Sequence, residues 1–351
     1  MSKLKIMHLL QSDRFSGAEN VVCQIIDLFR TDKDVEMIYC SPKGPIEQSL
    51  RERNIEYFGI DKLVFSEVKR AIKTINPDII HAHDVSAGVM AVVSASHRIP
   101  VISHMHVNNS DMSRTNMKTM LFAIISLRFR HIFWVSNSSF DSYKFKKIVS
   151  KKSSILYNVL DKKAIIYKSK NAEIKDSYDV VFVGRMQYQK DPLRLLSIIQ
   201  NLKKEYNPNI RCALIGEGPM FEEVQNKISE LDLLDNIDLK GFMSNPLGIV
   251  KNAKCMILTS RFEGTPMCAL EALALGVPII STPTDGMVDL INNGINGYLS
   301  DNNDEIAKCL AKVSSDIELR ECLSKEAIKK FDSIMDLDFY KNELYNEYFG
   351  E

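Results

Sequence analysis

No stretch of this chain approaches the about eighteen consecutive apolar residues of a membrane-spanning helix. The opening residues, MSKLKIMHLLQSDRFSG, hold an apolar run too short for a secretory signal, and no small-residue cleavage pattern follows it. Met7 to Leu10 reads instead as a first strand. The seven cysteines are odd in number and form no Cys-x-x-Cys, which excludes a disulfide framework and a structural zinc site and points to a reducing cytoplasm. Gly-x-Gly-x-x-Gly is absent after the first strand, so this is not the dinucleotide fingerprint. There is no internal repeat and no low-complexity tract. Net charge is zero as well.

What is present fits two domains of a globular protein: 351 residues, 45% apolar and 26% charged. The charge is unevenly spread. Residues 1–178 carry 27 Lys and Arg against 18 Asp and Glu, and residues 179–351 carry 18 against 27. A basic first half suits an anionic partner. No nucleic-acid motif accompanies it, so an anionic membrane surface or a lipid pyrophosphate is the expected partner. The competing reading is an ordinary solvated surface.

The most informative stretch is ILTSRFEGTPMCALEALALGVPIISTPTDGMVDL, from Ile257 to Leu290. Met256 to Leu258 predicts a strand, followed by a polar turn. Thr265 suits an N-cap and Pro266 the first helical position, where a missing N–H costs nothing. Met267 to Leu275 continues as a helix, Gly276 suits the left-handed position beyond its end, and Val277 to Thr282 reads as the next buried strand. Two carboxylates belong to this helix N-terminus: Glu263 just before it and Glu271 one and a half turns in. The free N–H groups attract phosphate, whereas carboxylates accept from hydroxyls. Together they predict a ligand with both, such as a nucleotide sugar.

Glu263 and Glu271, with Gly264, Pro266, Gly276 and Pro278 between and beyond them, resemble the signature of the retaining glycosyltransferases of the GT-B fold (group 1, family 4 type), which include bacterial surface-polysaccharide synthases. The resemblance extends over nearly the whole chain. It implies an α/β protein of two Rossmann-like doubly wound domains facing across a cleft. Further segments carry it. A strand from Asp179 to Val183 ends in Gly184-Arg185, and Lys190 follows five residues on. Two fixed cations near the helix opened by Pro192 are what a diphosphate leaving group requires. Cys212 to Gly216 closes in Glu217-Gly218-Pro219, and Ile237 to Gly241 leads to Phe242 and Asn245-Pro246. The resemblance places both segments against the nucleotide base. Relatives carry Glu at the position of Asp289.

In the first half, Lys5 to Leu10 leads through Ser16 and Gly17 into a helix reaching about Arg30, with Gly17 placed to let backbone approach a diphosphate or an acceptor. Strands follow at Val35 to Cys40, Ile55 to Ile60 and Ile79 to His83, with helices near 45–53, 65–75 and 86–97. His81 and His83 share a strand face but lack a third metal ligand, so packing is their expected role. Val101 to His106 is the next strand. The resemblance puts its final histidine near the donor sugar, which His106 matches better than His104, although Val107 interrupts the pairing with Asn108 seen in relatives. Ser113 to Arg130 reads as one basic helix without acidic residues, suited either to an anionic membrane or to the core. A strand from Ile132 to Ser136, a basic helix from Ser138 to Val149 and a strand from Ile155 to Tyr157 follow. Lys168 to Tyr178 is polar enough to be the linker.

These readings define an acceptor-side domain at 1–170, joined by the last helix within 336–351, and a nucleotide-sugar domain at 176–335. The expected activity is transfer of a hexose or N-acetylhexosamine from a nucleotide-sugar donor to a glycan or lipid-pyrophosphate-linked acceptor, with retention. His106, Arg185, Lys190 and Glu263 are the catalytic candidates. Gly17, Arg185, Lys190, Glu217, Phe242, Glu263, Gly264, Thr265 and Glu271 are the donor-binding ones. No cofactor or metal is expected, because the two cations do a metal's work and no Asp-x-Asp stands where a metal-dependent glycosyltransferase needs one. The expected setting is the cytoplasm, including the inner face of its membrane, without nucleic acid. A GT-B nucleotide-sugar epimerase and a non-catalytic nucleotide-sugar-binding protein are the alternatives.

Overall fold

The computed structural model describes residues 3–15, 17–106, 110–158, 160–171 and 176–350. Ser16, Val107 to Asn109 and the linker residues 172–175 lie outside them. The chain divides into two compact units, Met1–Val159 with Leu337–Glu351, and Leu160–Asp336.

Unit 1 is built on seven strands: β1 Leu4–Leu9, β2 Val35–Pro42, β3 Tyr57–Ile60, β4 Ile79–His83, β5 Val101–Met105, β6 Phe129–Trp134 and β7 Ser153–Ile155. All pairings are parallel, in the order β3-β2-β1-β4-β5-β6-β7. The central strands read as unbroken apolar runs because helices cover both faces of such a sheet, and β4 and β5 are buried throughout. Helix Gly17–Phe29 turns Val21, Val22, Ile25, Ile26 and Phe29 inward at helical spacing. The last helix, Leu337–Phe349, packs into the same unit through buried Tyr340, Leu344 and Tyr348.

Unit 2 has six parallel strands: β8 Val180–Val183, β9 Cys212–Ile215, β10 Ile237–Gly241, β11 Cys255–Leu258, β12 Ile279–Ser281 and β13 Gly297–Leu299. Their order is β10-β9-β8-β11-β12-β13. Each sheet reverses its winding once, between β1 and β4 in unit 1 and between β8 and β11 in unit 2. Loops leaving such neighbouring strands in opposite directions open a crevice at the carboxyl edge, where ligands bind in this architecture.

Three sequence expectations change. The segment from Ser113 to Arg130 is not one helix. Asn116 caps a helix at Met117–Ile125, a 3-10 turn spans Ser126–Arg128, and β6 begins at Phe129. Lys152 holds the turn after the helix by donating to the carbonyls of Ser126, Leu127 and Phe129 at 3.0, 3.3 and 2.9 Å, and Phe129 pairs in the sheet beside Val101. The basic segment after it divides into Asn137–Ser142 and Lys146–Val149, with Tyr143 extended between them. Finally, Lys162–Lys170 is a helix of unit 2, so the changeover falls earlier than the domain end read at 170. Asp161 caps it, Ile165 is buried, and Lys162 pairs with Asp332 at 2.5 Å. Its single apolar stripe is hidden in a polar, lysine-rich segment.

The turns after β8 and β9 touch backbone to backbone. A Cβ on Gly216, which has φ +138°, would lie 2.0 Å from the Gly184 carbonyl oxygen. Both the conformation and the space demand glycine. Gly216→Ala is expected to lower the stability of unit 2 by about 3 kcal/mol, read as the urea midpoint of its unfolding. An unchanged midpoint contradicts the close approach.

Candidate functional site

At the crevice of unit 2, the loop leaving β8 carries Arg185 and Lys190, and the loop leaving β11 carries Glu263. Side-chain and backbone hydrogen bonds join the loops. Thr259 donates its hydroxyl to the carbonyls of Lys190 and Asp191 at 3.0 and 3.1 Å. The Arg261 N–H donates to the Gln189 carbonyl at 2.8 Å. Gln189 returns its amide to the Phe262 carbonyl at 3.0 Å and the Glu263 carboxylate at 3.5 Å. Arg261 also pairs with Asp191 at 2.7 Å. Asp191, at φ +48°, caps helix Pro192–Glu205. Pro192 therefore opens the helix, as its fixed φ favours.

Across this seam lies an ion pair between Lys190 and Glu263, with side-chain exposures of 14% and 9%. Ser260 donates its hydroxyl to the same Glu263 oxygen at 2.6 Å. Burial works against the charged Lys190, but the Glu263 carboxylate outweighs it and holds the ammonium above its ordinary range. Lys190 is therefore a cation at any working pH. The Cys268 thiol is pushed up to about 11, first by burial; Lys190 opposes that shift, while Glu263 and Glu271 add to it. The electrostatics of that one thiol thus draw Lys190, Glu263 and Glu271 into a single neighbourhood. Arg185 is exposed on the turn after β8 and makes no ion pair among the described residues.

The helix that follows Glu263 spans Met267–Ala274, with Pro266 rather than Thr265 at its N-cap. The start is one residue later than predicted because Pro266 keeps an extended ψ of 123°. Gly276, at φ +70°, follows its end as expected. Thr265 is buried. Gly264 is pressed against the start of helix Asp285–Leu290: a Cβ on Gly286 would lie 1.3 Å from its carbonyl oxygen. Glu217 lies on the turn after β9, where its carbonyl accepts from the Met186 N–H at 2.9 Å and its carboxylate from the Phe242 N–H at 3.5 Å. Phe242, just past β10, is 56% exposed.

The unit 1 candidates gather differently. Gly17 begins its helix with open space where a Cβ would stand. His106 follows the end of β5 and is 7% exposed, while His104 is fully buried within the strand. The sequence reading found no third partner for His81 and His83; sheet order supplies three. β1 and β5 flank β4, which sets His8 opposite His81 and His83 opposite His104. Ring nitrogens of His8, His81 and His83, and those of His83, His104 and His106, approach within 4.8 Å of one another. His8 Nδ1 meets His83 Nε2 at 3.1 Å, and His83 Nδ1 meets His106 Nε2 at 2.9 Å. His81 is taken by the Tyr348 hydroxyl of the last helix at 2.8 Å. The His106 backbone N–H donates to Asp84, itself at φ +65°, at 2.9 Å. The donors Ser260, Gln189 and Arg261 and the partners His8 and His83 were not singled out in the sequence as site residues. The first three stand in or beside motifs already quoted, whereas the histidines meet only through strand order.

Two doubly wound units of parallel sheet, each with polar residues at its carboxyl edge, define the GT-B fold. Comparison with known proteins agrees. Residues 164–330 match the family model for glycosyl transferases group 1, and residues 15–163 match that for glycosyltransferase family 4. The chain belongs to this glycosyltransferase family. It is 25% identical to the capsular polysaccharide biosynthesis glycosyltransferase CapH of Staphylococcus aureus over 99% of both chains. It is 24% identical to an Escherichia coli UDP-Gal:alpha-D-GlcNAc-diphosphoundecaprenol alpha-1,3-galactosyltransferase over 96% of this chain and 97% of that one. Among solved structures, Anabaena Alr3699/HepE in complex with UDP-glucose superposes with a TM-score of 0.83 at 17% identity, covering 97% of this chain and 98% of that one.

Burial keeps the clustered histidines neutral. His8 and His106 are lowered to about 3, and His81, His83 and His104 fall well below the ordinary value of 6.5. The unfolded chain binds these protons and the folded chain does not, so stability is whole above about pH 6.5 and falls steadily as pH drops toward the folded values, by about 1.4 kcal/mol per histidine per pH unit. The urea midpoint of unit 1 should therefore decline from pH 7 to pH 5, with His104→Phe removing one proton from the dependence. A midpoint flat over that interval contradicts the buried neutral cluster.

Proposed function

We propose that the chain transfers a hexose or N-acetylhexosamine from a nucleoside-diphosphate sugar to a glycan or lipid-pyrophosphate-linked acceptor, with retention, in the synthesis of a bacterial surface polysaccharide. The observation that carries this reading is the buried Lys190–Glu263 pair at the crevice of unit 2, with Arg185 unpaired on the adjoining turn. Arg185 and Lys190 grip the diphosphate. Glu263 accepts from hydroxyls of the donor sugar, and Glu271 from those of the ribose. Phe242 and Glu217 meet the base, with Gly264 and Thr265 offering backbone beside the sugar. In unit 1, His106 bonds a substrate hydroxyl and Gly17 lets backbone approach the ligand.

The bond from the anomeric carbon to the leaving phosphate oxygen breaks, and the acceptor oxygen bonds that carbon on the same face. The acceptor's proton passes to the departing phosphate, so no protein carboxylate acts as the nucleophile of a double displacement. Negative charge grows on the phosphate as the bond breaks, and the two cations stabilise it there. The reading assigns that work to them and to no metal.

The Escherichia coli relative, named for a diphosphoundecaprenol-linked substrate, also favours a membrane-surface acceptor. Helix Met117–Ile125 and the turn after it leave Met117, Ile124 and Leu127 86%, 64% and 71% exposed, in a segment whose only charges are basic from Arg114 to Arg130. Apolar side chains framed by lysine and arginine suit an anionic bilayer surface.

One experiment tests the reading: a panel of nucleotide sugars with a lipid-linked acceptor in anionic or neutral vesicles, followed by product mass and anomeric configuration. Transfer with retention is expected, faster on anionic vesicles and slowed by salt. Lys190→Ala and Glu271→Ala should each lower it about a hundredfold or more with the fold intact. Product without acceptor identifies an epimerase, donor binding without turnover a sensor, and near-normal turnover in either variant removes the assigned site.

A further inference from the structure

Three of the five histidines at the centre of unit 1 form an ordered chain. His8 Nδ1 bonds His83 Nε2 at 3.1 Å, and His83 Nδ1 bonds His106 Nε2 at 2.9 Å. Among the described residues, two ring nitrogens remain at its ends without partners, His8 Nε2 and His106 Nδ1. Burial keeps every ring neutral, so each carries a single N–H. That condition couples the three rings. If His8 donates from Nδ1, His83 must accept at Nε2 and donate from Nδ1, and His106 must accept at Nε2 and carry its proton on Nδ1. The opposite polarity leaves an N–H on His8 Nε2 instead.

The two polarities differ in where the unpartnered donor falls. A buried donor without an acceptor costs more than a buried lone pair without a donor. His8 is wholly buried inside the central strand, whereas His106 lies past the end of β5 and keeps 7% exposure. Both end nitrogens are covered by protein, but only the His106 end stands past β5 at the carboxyl edge of the sheet, where ligands bind in this architecture, so the donor belongs there. Neither neighbouring histidine joins the chain: His81 is held by Tyr348 through Nδ1, and His104, whose two ring nitrogens are also buried without partners among the described residues, stacks on His106 at 4.3 Å without a bond to it. The Asp84 carboxylate, holding the His106 backbone N–H at 2.9 Å, fixes where that donor stands.

We propose that His83, fed by His8, is a positioning residue that sets His106 in its Nδ1–H form, so that His106 meets the substrate as a hydrogen-bond donor to a sugar oxygen and not as a base. The proposal deepens the reading of His106 given above and rests on it for the identity of the ligand. Its core, the tautomer, is measured without any ligand.

The test is a long-range proton–nitrogen spectrum of the full chain labelled with 15N-histidine at pH 7, with His106 assigned by its loss in His106→Gln. The expected result is His106 protonated on Nδ1. His83→Phe, which removes the donor, should give a mixture of both tautomers and about tenfold slower transfer. His83→Asn, whose amide can still donate to His106 Nε2, should restore the Nδ1–H form and most of the rate. Should His83→Phe fail to fold, the wild-type and His83→Asn spectra still decide. Protonation of His106 on Nε2 in the wild type, or a tautomer unmoved by His83→Phe, overturns the proposal. So does one equivalent of tightly held metal on the histidines, which would replace the hydrogen-bonded chain. If the tautomer follows His83 as expected while His106→Gln transfers sugar at the normal rate, the relay stands and the assignment of His106 to the substrate falls.

Discussion

Lys190 and Glu263 are charges that the protein has removed from water, and neither is tolerable alone. A buried cation or anion left without its partner costs several kcal/mol. The loops after β8 and β11 are consequently obliged to stay together, and Ser260, Gln189 and Thr259 complete the hydrogen bonding around the pair. The reversal of strand order sets β8 beside β11, so the loops that leave their carboxyl ends meet at the crevice. The glycines serve the same end. Gly216 and Gly286 let backbone segments approach more closely than any side chain permits, which brings the turns after β8 and β9 together and presses the Gly264 turn into place.

The two units use one architecture for different chemistry. At the crevice of unit 2 a cation is kept charged by a carboxylate, and the site is suited to phosphate and hydroxyl groups. At the corresponding place in unit 1, between β1 and β4 and on into β5, the polar residues are histidines that burial keeps neutral. Neutral rings contribute hydrogen-bond direction rather than field. The last helix is tied into this cluster through Tyr348, so the C-terminal residues of the chain complete the core of its first unit.

Much of the fold was legible. The strands Ile79–His83 and Ile237–Gly241 have the bounds read from the sequence, and helix Gly17–Phe29 ends within a residue of its expected end. Buried parallel strands and a well-spaced amphipathic helix declare themselves locally. The segment 113–130 did not, because the turn that follows its helix is held by Lys152, more than twenty residues away. Helix Lys162–Lys170 was hidden by its own polarity. For the site, Lys190 and Glu263 could be named from motifs, but their direct pairing could not. Spacing along the chain does not reveal that the two loops share a crevice. The histidines are the clearest case. Two on one strand look like packing, and they become a chain of hydrogen bonds only when sheet order sets β1 and β5 on either side of β4.

The central claim is that Lys190, anchored by Glu263, faces the diphosphate of the sugar donor with Arg185. A crystal structure of the full chain with a bound nucleoside diphosphate tests it most directly. The account predicts phosphate oxygens within hydrogen-bonding distance of both Lys190 Nζ and the Arg185 guanidinium at the carboxyl edge of β8 and β11. A diphosphate bound elsewhere, with Lys190 still held by Glu263 alone and Arg185 in solvent, would contradict it.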